Sequence, residues 1–150
     1  MLVKKIKYVD FLGNTREEEF YFNYSKADVN RLMFSTKEGL GEFLKRITRE
    51  EDHTKMFGFL EEFILGAYGE VSHDGRQFIK NEELSTSFKQ SNAYSELLEE
   101  FIEGGDIAVS NFINAVVPKE TAEAMAKIRE EEEKKELASV SQMPAATPKA

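Results

Sequence analysis

The feature that most constrains the fold is an apolar repeat at helical spacing, which recurs from residue 40 to residue 116. The first instance predicts an amphipathic helix from the spacing i, i+3, i+4, i+7 of Leu40, Phe43, Leu44 and Ile47. A wider stripe over residues 52–68 predicts the central, most buried helix. Gly69 follows at the position where a glycine commonly ends a helix.

Three further helices are expected between residues 81 and 118, with Asn81, Ser91 and Asp106 as caps. Gly104–Gly105 and Pro118 supply the breaks. The side chains expected to face inward are Leu84, Phe88, Tyr94, Leu97, Leu98, Phe101, Ile102, Ile107, Phe112, Ile113 and Val116. Residues 70–80 are expected to form a loop, because His73-Asp74-Gly75 is a turn sequence.

The first 22 residues have the composition of a β-hairpin. Two segments rich in β-branched and aromatic residues flank a Gly13-Asn14 turn, and a basic first strand faces an acidic second strand. Ser25 and Asp28 then form a capping box for a short helix. The fold class expected is therefore mainly α with a small N-terminal β-hairpin (α+β).

The character of the sequence changes after Pro118. We predict a domain over residues 1–118, a charged and weakly packed helix over 119–137, and a disordered tail over 138–150. The run from Glu130 to Glu133 followed by two lysines is interpreted first as a solvated helix face, with a strip for another protein as the alternative.

Composition excludes several classes of function. The net charge of −8 disfavours nucleic-acid binding, and the absence of cysteine excludes disulfides and thiolate metal sites. Apolar stretches are too short to span a membrane, and the N-terminal segment does not resemble a secretion signal, so we expect a cytoplasmic protein.

No catalytic or metal-binding arrangement is evident. His53 and His73 lack ligand-spaced partners, and Gly39-Leu40-Gly41 lacks the remaining residues of a phosphate-binding loop. We therefore expect neither an enzyme nor a cofactor. Aromatic residues at helical spacing belong to the core by default, but any that stay exposed would form an association surface. The candidates for protein binding are Phe43, Phe57, Phe63, Tyr68, Tyr94 and Phe101.

Residues 3–118 resemble a family of small phage proteins in the order of several segments. These segments include FYFN at 20–23, FIL at 63–65 and AYG at 67–69. The clearest is SHDGRQFIKNEEL at 72–84, followed by AYSEL at 93–97 and by FIN at 112–114. The family is that of tail assembly chaperones of long-tailed phages, encoded between the tail tube and the tape measure genes.

The resemblance implies a protein that coats the tape measure protein, keeps it soluble and helps to recruit tail tube subunits. It also implies a homo-oligomer in the host cytoplasm that is absent from the finished particle. Two alternatives remain open: a structural tail or connector component of the virion, and an acidic inhibitor of a host protein.

Overall fold

The computed structural model describes residues 1–35 and 53–142. Four strands and five helices occur in these residues, and the α+β class is confirmed. The helix predicted over residues 40–47 lies outside them. The elements are β1 (Leu2–Val9), β2 (Thr15–Phe22), α1 (Lys26–Ser35), α2 (His53–Ala67), β3 (Tyr68–Val71), β4 (Phe78–Ile79), α3 (Glu82–Lys89), α4 (Asn92–Val116) and α5 (Lys119–Gln142).

The N-terminal hairpin forms as the sequence predicts. Its turn is held by Asp10, whose Oδ1 accepts hydrogen bonds from the backbone N–H groups of Leu12 and Asn14, each at 2.9 Å. Gly13 has φ 86°, which a side chain would oppose. In the observed register Lys5 lies opposite Glu19 and its Nζ lies 3.6 Å from Glu17 Oε1, so complementary charges meet across the two strands.

The sheet is larger than the sequence predicts, because residues 68–79 form a second hairpin rather than a loop. The strands lie in the order β1-β2-β3-β4, and Tyr21 pairs with Gly69. Gly69 is therefore not a left-handed helix cap, and the chain passes from α2 directly into β3. It is a glycine because a Cβ there would lie 2.5 Å from the carbonyl oxygen of Ile79 and 2.6 Å from the Phe78 ring.

The helix caps follow the sequence closely. In the capping box, the Asp28 N–H donates to Ser25 Oγ at 3.0 Å and the Ser25 N–H donates to Asp28 Oδ2 at 2.9 Å. Asn81 caps α3 by accepting from the Leu84 N–H at 2.8 Å, and Ser91 caps α4. These local bonds fix where each helix begins.

Helix α4 is broken at Gly105 (φ 63°, ψ −152°), as its two glycines predict. The expectation that Ile102 and Ile107 face inward is wrong, since they are 65% and 75% exposed. Residues at helical spacing share one face only within an unbroken helix, and Ile102 and Ile107 lie on either side of the break. Their neighbours Phe101 and Phe112 do reach the core, with ring centroids 5.0 Å apart.

The core lies between the inner face of the sheet and the helices. Its largest fully buried side chains are Phe22, Ile64, Leu97, Ile113 and Val116. The Phe22 ring, at the end of β2, makes edge contacts with Phe88 and Phe112 at centroid distances of 5.7 and 5.3 Å. Phenylalanines from three separate elements thus share one cluster, where burial of each ring stabilises the fold by about 1.5–3 kcal/mol.

Helix α5 contacts the rest of the chain through its first turns. Met125 is 3% exposed and belongs to the core cluster, and Arg129 Nη2 donates to Ser110 Oγ of α4 at 3.1 Å. Beyond this point most side chains are exposed, and Leu137 is 70% exposed. The helix continues to Gln142. The division of the chain near Pro118 stays a prediction.

Candidate protein-binding surface

Three of the six candidate aromatic residues are buried in the core. Phe63, Tyr94 and Phe101 are 4%, 5% and 4% exposed. Tyr68 is half-buried and lies on β3, where its ring stacks on that of Phe88 at a centroid distance of 4.4 Å. These four rings hold elements of the fold together, so their regular spacing in the sequence reflects packing in the fold rather than a binding surface.

Phe57 differs from the buried candidates, because 42% of its surface is exposed. It lies on α2, whose inner face carries Ile64 and Ala67, both fully buried. Phe57 lies seven residues before Ile64 and so on nearly the same face of α2. Leu60 packs against the core cluster, whereas Phe57, one turn closer to the start of α2, does not belong to it. Of the six candidates, Phe43 lies outside the described residues.

Other apolar side chains are more exposed than Phe57, and the sequence patterns did not single them out. Ile102 and Ile107 flank the break in α4, and Phe11 and Leu12 occupy the hairpin turn with 78% and 87% exposure. The exposure of Phe11 and Leu12 could have been predicted from the sequence, because residues in the turn between two paired strands lie beyond the packed face of the sheet. The exposure of Ile102 and Ile107 could not have been predicted in this way, since it depends on the angle at which α4 is broken at Gly105.

Contacts between α1, α2 and the second hairpin position the α2 surface. The Tyr24 hydroxyl donates to the carbonyl oxygen of Phe63 at 2.8 Å, and burial raises the pKa of Tyr24 well above its ordinary value. Lys80 Nζ lies 3.0 Å from Asp28 Oδ2 and 4.5 Å from the centroid of the Tyr24 ring. Burial would raise the pKa of Asp28, but hydrogen bonds from Ser25 and Lys80 outweigh it and leave the pKa below its ordinary value.

A second surface feature is an open groove of about 260 Å³ between β1 and α4. The β1 side is formed by residues 5–7, and the α4 side by four glutamates: Glu96, Glu99, Glu100 and Glu103. Their spacing i, i+3, i+4, i+7 places them along one stripe of the helix. Lys4 Nζ contacts Glu100 Oε1 at 2.6 Å and joins the strand to the helix.

The turn between β3 and β4 uses its polar groups structurally, as its sequence predicts. Asp74 Oδ1 accepts from Ser72 Oγ at 2.7 Å and from the Arg76 N–H at 3.0 Å, and Gly75 has φ 74°. The pKa of Asp74 is lowered by these hydrogen bonds, that of Ser72 above all. The hydrogen bonds of Asp74 Oδ1 therefore serve the turn itself.

The described residues contain no group of three or more histidine or acidic side chains placed to hold a metal ion. Within the same part of the chain, no helix has the length and apolarity needed to cross a membrane. The described surface carries exposed charged side chains of both signs together with exposed large apolar ones such as Phe11, Phe57 and Ile107. Where exposed apolar side chains cluster, they provide a surface for contact with other proteins.

Comparison with known proteins agrees with this picture. No curated protein and no solved structure matches the chain. One family model does match, that of the phage tail assembly chaperones, and it covers residues 1–150. The match continues past Pro118, where the resemblance in the sequence ended, and so includes α5. The chain belongs to the phage tail assembly chaperone family.

Proposed function

We propose that this chaperone binds the tape measure protein through exposed apolar side chains on its helices, keeps it soluble, and helps to recruit tail tube subunits. The observation that carries the proposal is the exposure of Phe57 on α2 and of Ile102 and Ile107 on α4. An elongated helical client presents apolar stripes, and helix-borne side chains of this kind dock into them. The family assignment supports a role in assembly rather than in catalysis.

Affinity for such a client would come from repetition. One or two exposed apolar side chains per subunit give only weak binding, but many copies along one extended client bind together. Weak contact per subunit also permits release when the tube forms. The net charge of −8 keeps many copies soluble at once. We further propose that the protein self-associates on its client in the host cytoplasm and is absent from the mature virion.

Among the six aromatic candidates, we assign direct client contact to Phe57. We assign Phe63, Tyr68, Tyr94 and Phe101 a supporting role, because they hold α2, β3 and α4 in place. Removing an exposed side chain changes stability by no more than about 0.5 kcal/mol, whereas removing a buried Phe costs about 3–5 kcal/mol. The two roles can therefore be separated by experiment.

The test is co-expression with the tape measure protein of the same phage, followed by affinity capture and measurement of soluble tape measure protein. We expect the wild-type chain to keep the client soluble. Phe57→Ser should lower its recovery several-fold while the melting temperature falls by only a few degrees, far less than for a buried Phe. Phe11→Ser is the matched control, because it removes the same side chain from the hairpin turn, and it should bind as the wild type does.

Two outcomes would overturn parts of this proposal. If the wild-type chain neither captures nor solubilises the tape measure protein, the client is wrong. If Phe57→Ser binds as the wild type does, or if Phe11→Ser weakens binding as much as Phe57→Ser, the assigned binding surface is wrong. Mass spectrometry of purified particles tests the alternative of a structural tail component, since a chaperone should be missing from them.

A further inference from the structure

Strand β1 lies at the edge of the sheet, and within residues 1–35 and 53–142 no other strand pairs with its outer side. The Asp10 N–H donates to the Asn14 carbonyl at 2.9 Å, which directs the backbone of the even-numbered residues towards β2. Alternation then directs the backbone groups of Val3, Lys5 and Lys7 outward. An open edge of this length is a template for another strand.

One contact already uses this edge. Asn92, the first residue of α4, donates its side-chain amide to the Val9 carbonyl at 2.8 Å. The bond confirms that the odd-numbered carbonyls of β1 point away from β2. It also marks the end of the open edge, because α4 closes it at Val9. In the part of the chain that the structure describes, the outward backbone groups of Val3, Lys5 and Lys7 have no hydrogen-bond partner.

The glutamate stripe of α4 runs beside this open edge. Glu100 is paired with Lys4, whereas Glu96, Glu99 and Glu103 are exposed and form no ion pair within residues 1–35 and 53–142. Like charges three and four residues apart on a helix repel one another. Lys5 and Lys7 line the same groove, but among the described residues only Lys4 forms an ion pair with the stripe, so part of this repulsion remains. A cationic partner in the groove would relieve this repulsion.

A second copy of the chain does not fit the edge. Pairing β1 with β1 of another copy would extend the sheet and bring the two α4 helices to the same face. Their glutamate stripes would then face each other, and Lys5 and Lys7 of the two edge strands would meet on the opposite face of the sheet, away from α4. Both contacts are repulsive, and edge lysines are a common protection against such pairing. This argues against a second copy paired through β1 and in favour of a different polypeptide as the occupant.

We propose that the free edge of β1 receives an extended segment of a partner protein that carries Lys or Arg at alternate positions. The added strand pairs with the backbone of residues 3–7, and its basic side chains on the α4 side meet the glutamate stripe. From Glu96 to Glu103 the stripe extends about 10 Å, and alternate strand residues are about 6.7 Å apart. The stripe thus selects two basic residues at positions i and i+2.

The proposal goes beyond the client proposed above and does not depend on it, because the edge and the stripe are separate from Phe57. The test uses the full chain and two fluorescent eight-residue peptides, matched in length to β1. Both contain threonine, valine and two lysines. In one the lysines are two residues apart, so they share a face, and in the other they are three apart and lie on opposite faces.

In fluorescence anisotropy at low salt, we expect the same-face peptide to bind about tenfold more tightly than its isomer. Methylation of its backbone nitrogens on the side facing β1 should abolish binding, and methylation on the other side should not. Equal binding of the two isomers, or insensitivity to methylation on either side, would show unspecific attraction of cations and overturn the proposal.

Charge variants complete the test. Replacing Glu96, Glu99 and Glu103 by Gln should weaken binding of the same-face peptide about tenfold, since the exposed ion pairs of both peptide lysines are lost together. The control replaces Glu130, Glu131 and Glu133 of α5 by Gln, which changes the net charge equally and should leave the affinity unchanged. If both triple variants weaken binding alike, the stripe is not the site. Tape measure capture that survives the first triple variant shows that the two surfaces are independent.

Discussion

The sequence pattern predicts that Gly69 ends a helix, whereas in the structure it lies in β3 against β4. Replacement of Gly69 by Ala tests this difference. An added Cβ would lie 2.5 Å from the Ile79 carbonyl oxygen and 2.6 Å from a carbon of the Phe78 ring. The ring can rotate, but the carbonyl belongs to β4 and moves only with the strand. Overpacking of this kind costs about 1–3 kcal/mol. We expect a loss of about 2 kcal/mol, or about 6 °C in melting temperature for a chain of this length.

Gly58→Ala is the matched control. Gly58 lies in the interior of α2, and a Cβ there would meet nothing within 4 Å. Alanine is favoured over glycine in a helix, so this variant should gain about 0.5–1 kcal/mol. Thermal and urea denaturation followed by circular dichroism would measure both changes. The same substitution is expected to have opposite signs at the two sites.

A third variant, Gly69→Asn, distinguishes a helix cap from a close contact with β4. If Gly69 were the left-handed cap that the sequence pattern suggests, Gly69→Asn would be tolerated better than Gly69→Ala, because Asn adopts positive φ readily. In the observed fold the larger Asn side chain collides with β4 and should be at least as destabilising as Ala. A more stable Asn variant would show that β3 and β4 do not pair at this position.

Two further predictions concern α5 and the hairpin turn. Met125→Ala should lower the free energy of unfolding, measured by urea denaturation, by about 3 kcal/mol, because it leaves a cavity in the core. Leu137→Ala, on the exposed part of the same helix, should change it by less than about 0.5 kcal/mol. Equal effects would contradict the packing of α5. The hydrogen bond from Arg16 above all, helped by the Asn14 N–H, lowers the pKa of Asp10 from 3.8 to about 2. Because the folded pKa lies below the ordinary value, this carboxylate stabilises the fold above about pH 4, and that contribution is lost as the pH falls towards 2. The stability advantage of the wild type over Asp10→Asn should therefore vanish by about pH 2, and an advantage that persists unchanged there would contradict the assignment.

Short-range sequence patterns were sufficient to predict the N-terminal hairpin and the helix caps. Gly13, Ser25, Asn81 and Ser91 act through bonds to residues within four positions along the chain. Such bonds form wherever the local sequence allows them, so reading the sequence predicts them well. The break at Gly105 belongs to the same class, because glycine alone lowers the cost of the left-handed backbone found there.

The second hairpin could not be predicted in the same way. Its strands have four and two residues, too few for an alternating pattern to be visible. They form because β2 offers a paired edge at Tyr21 and Phe22, a contact between residues more than 40 positions apart. The helical pattern of α2 continued through Tyr68 and so concealed the start of β3.

The sequence by itself determined the α+β class, the positions of the helix ends and the aromatic composition of the core, because propensity, capping and burial of Phe act residue by residue. Only the tertiary structure decided which aromatic residues are accessible. Phe63 and Phe57 have the same side chain on the same helix, yet one is in the core and the other is 42% exposed. Exposure depends on what the rest of the chain places over each residue, and a one-dimensional pattern does not contain that information.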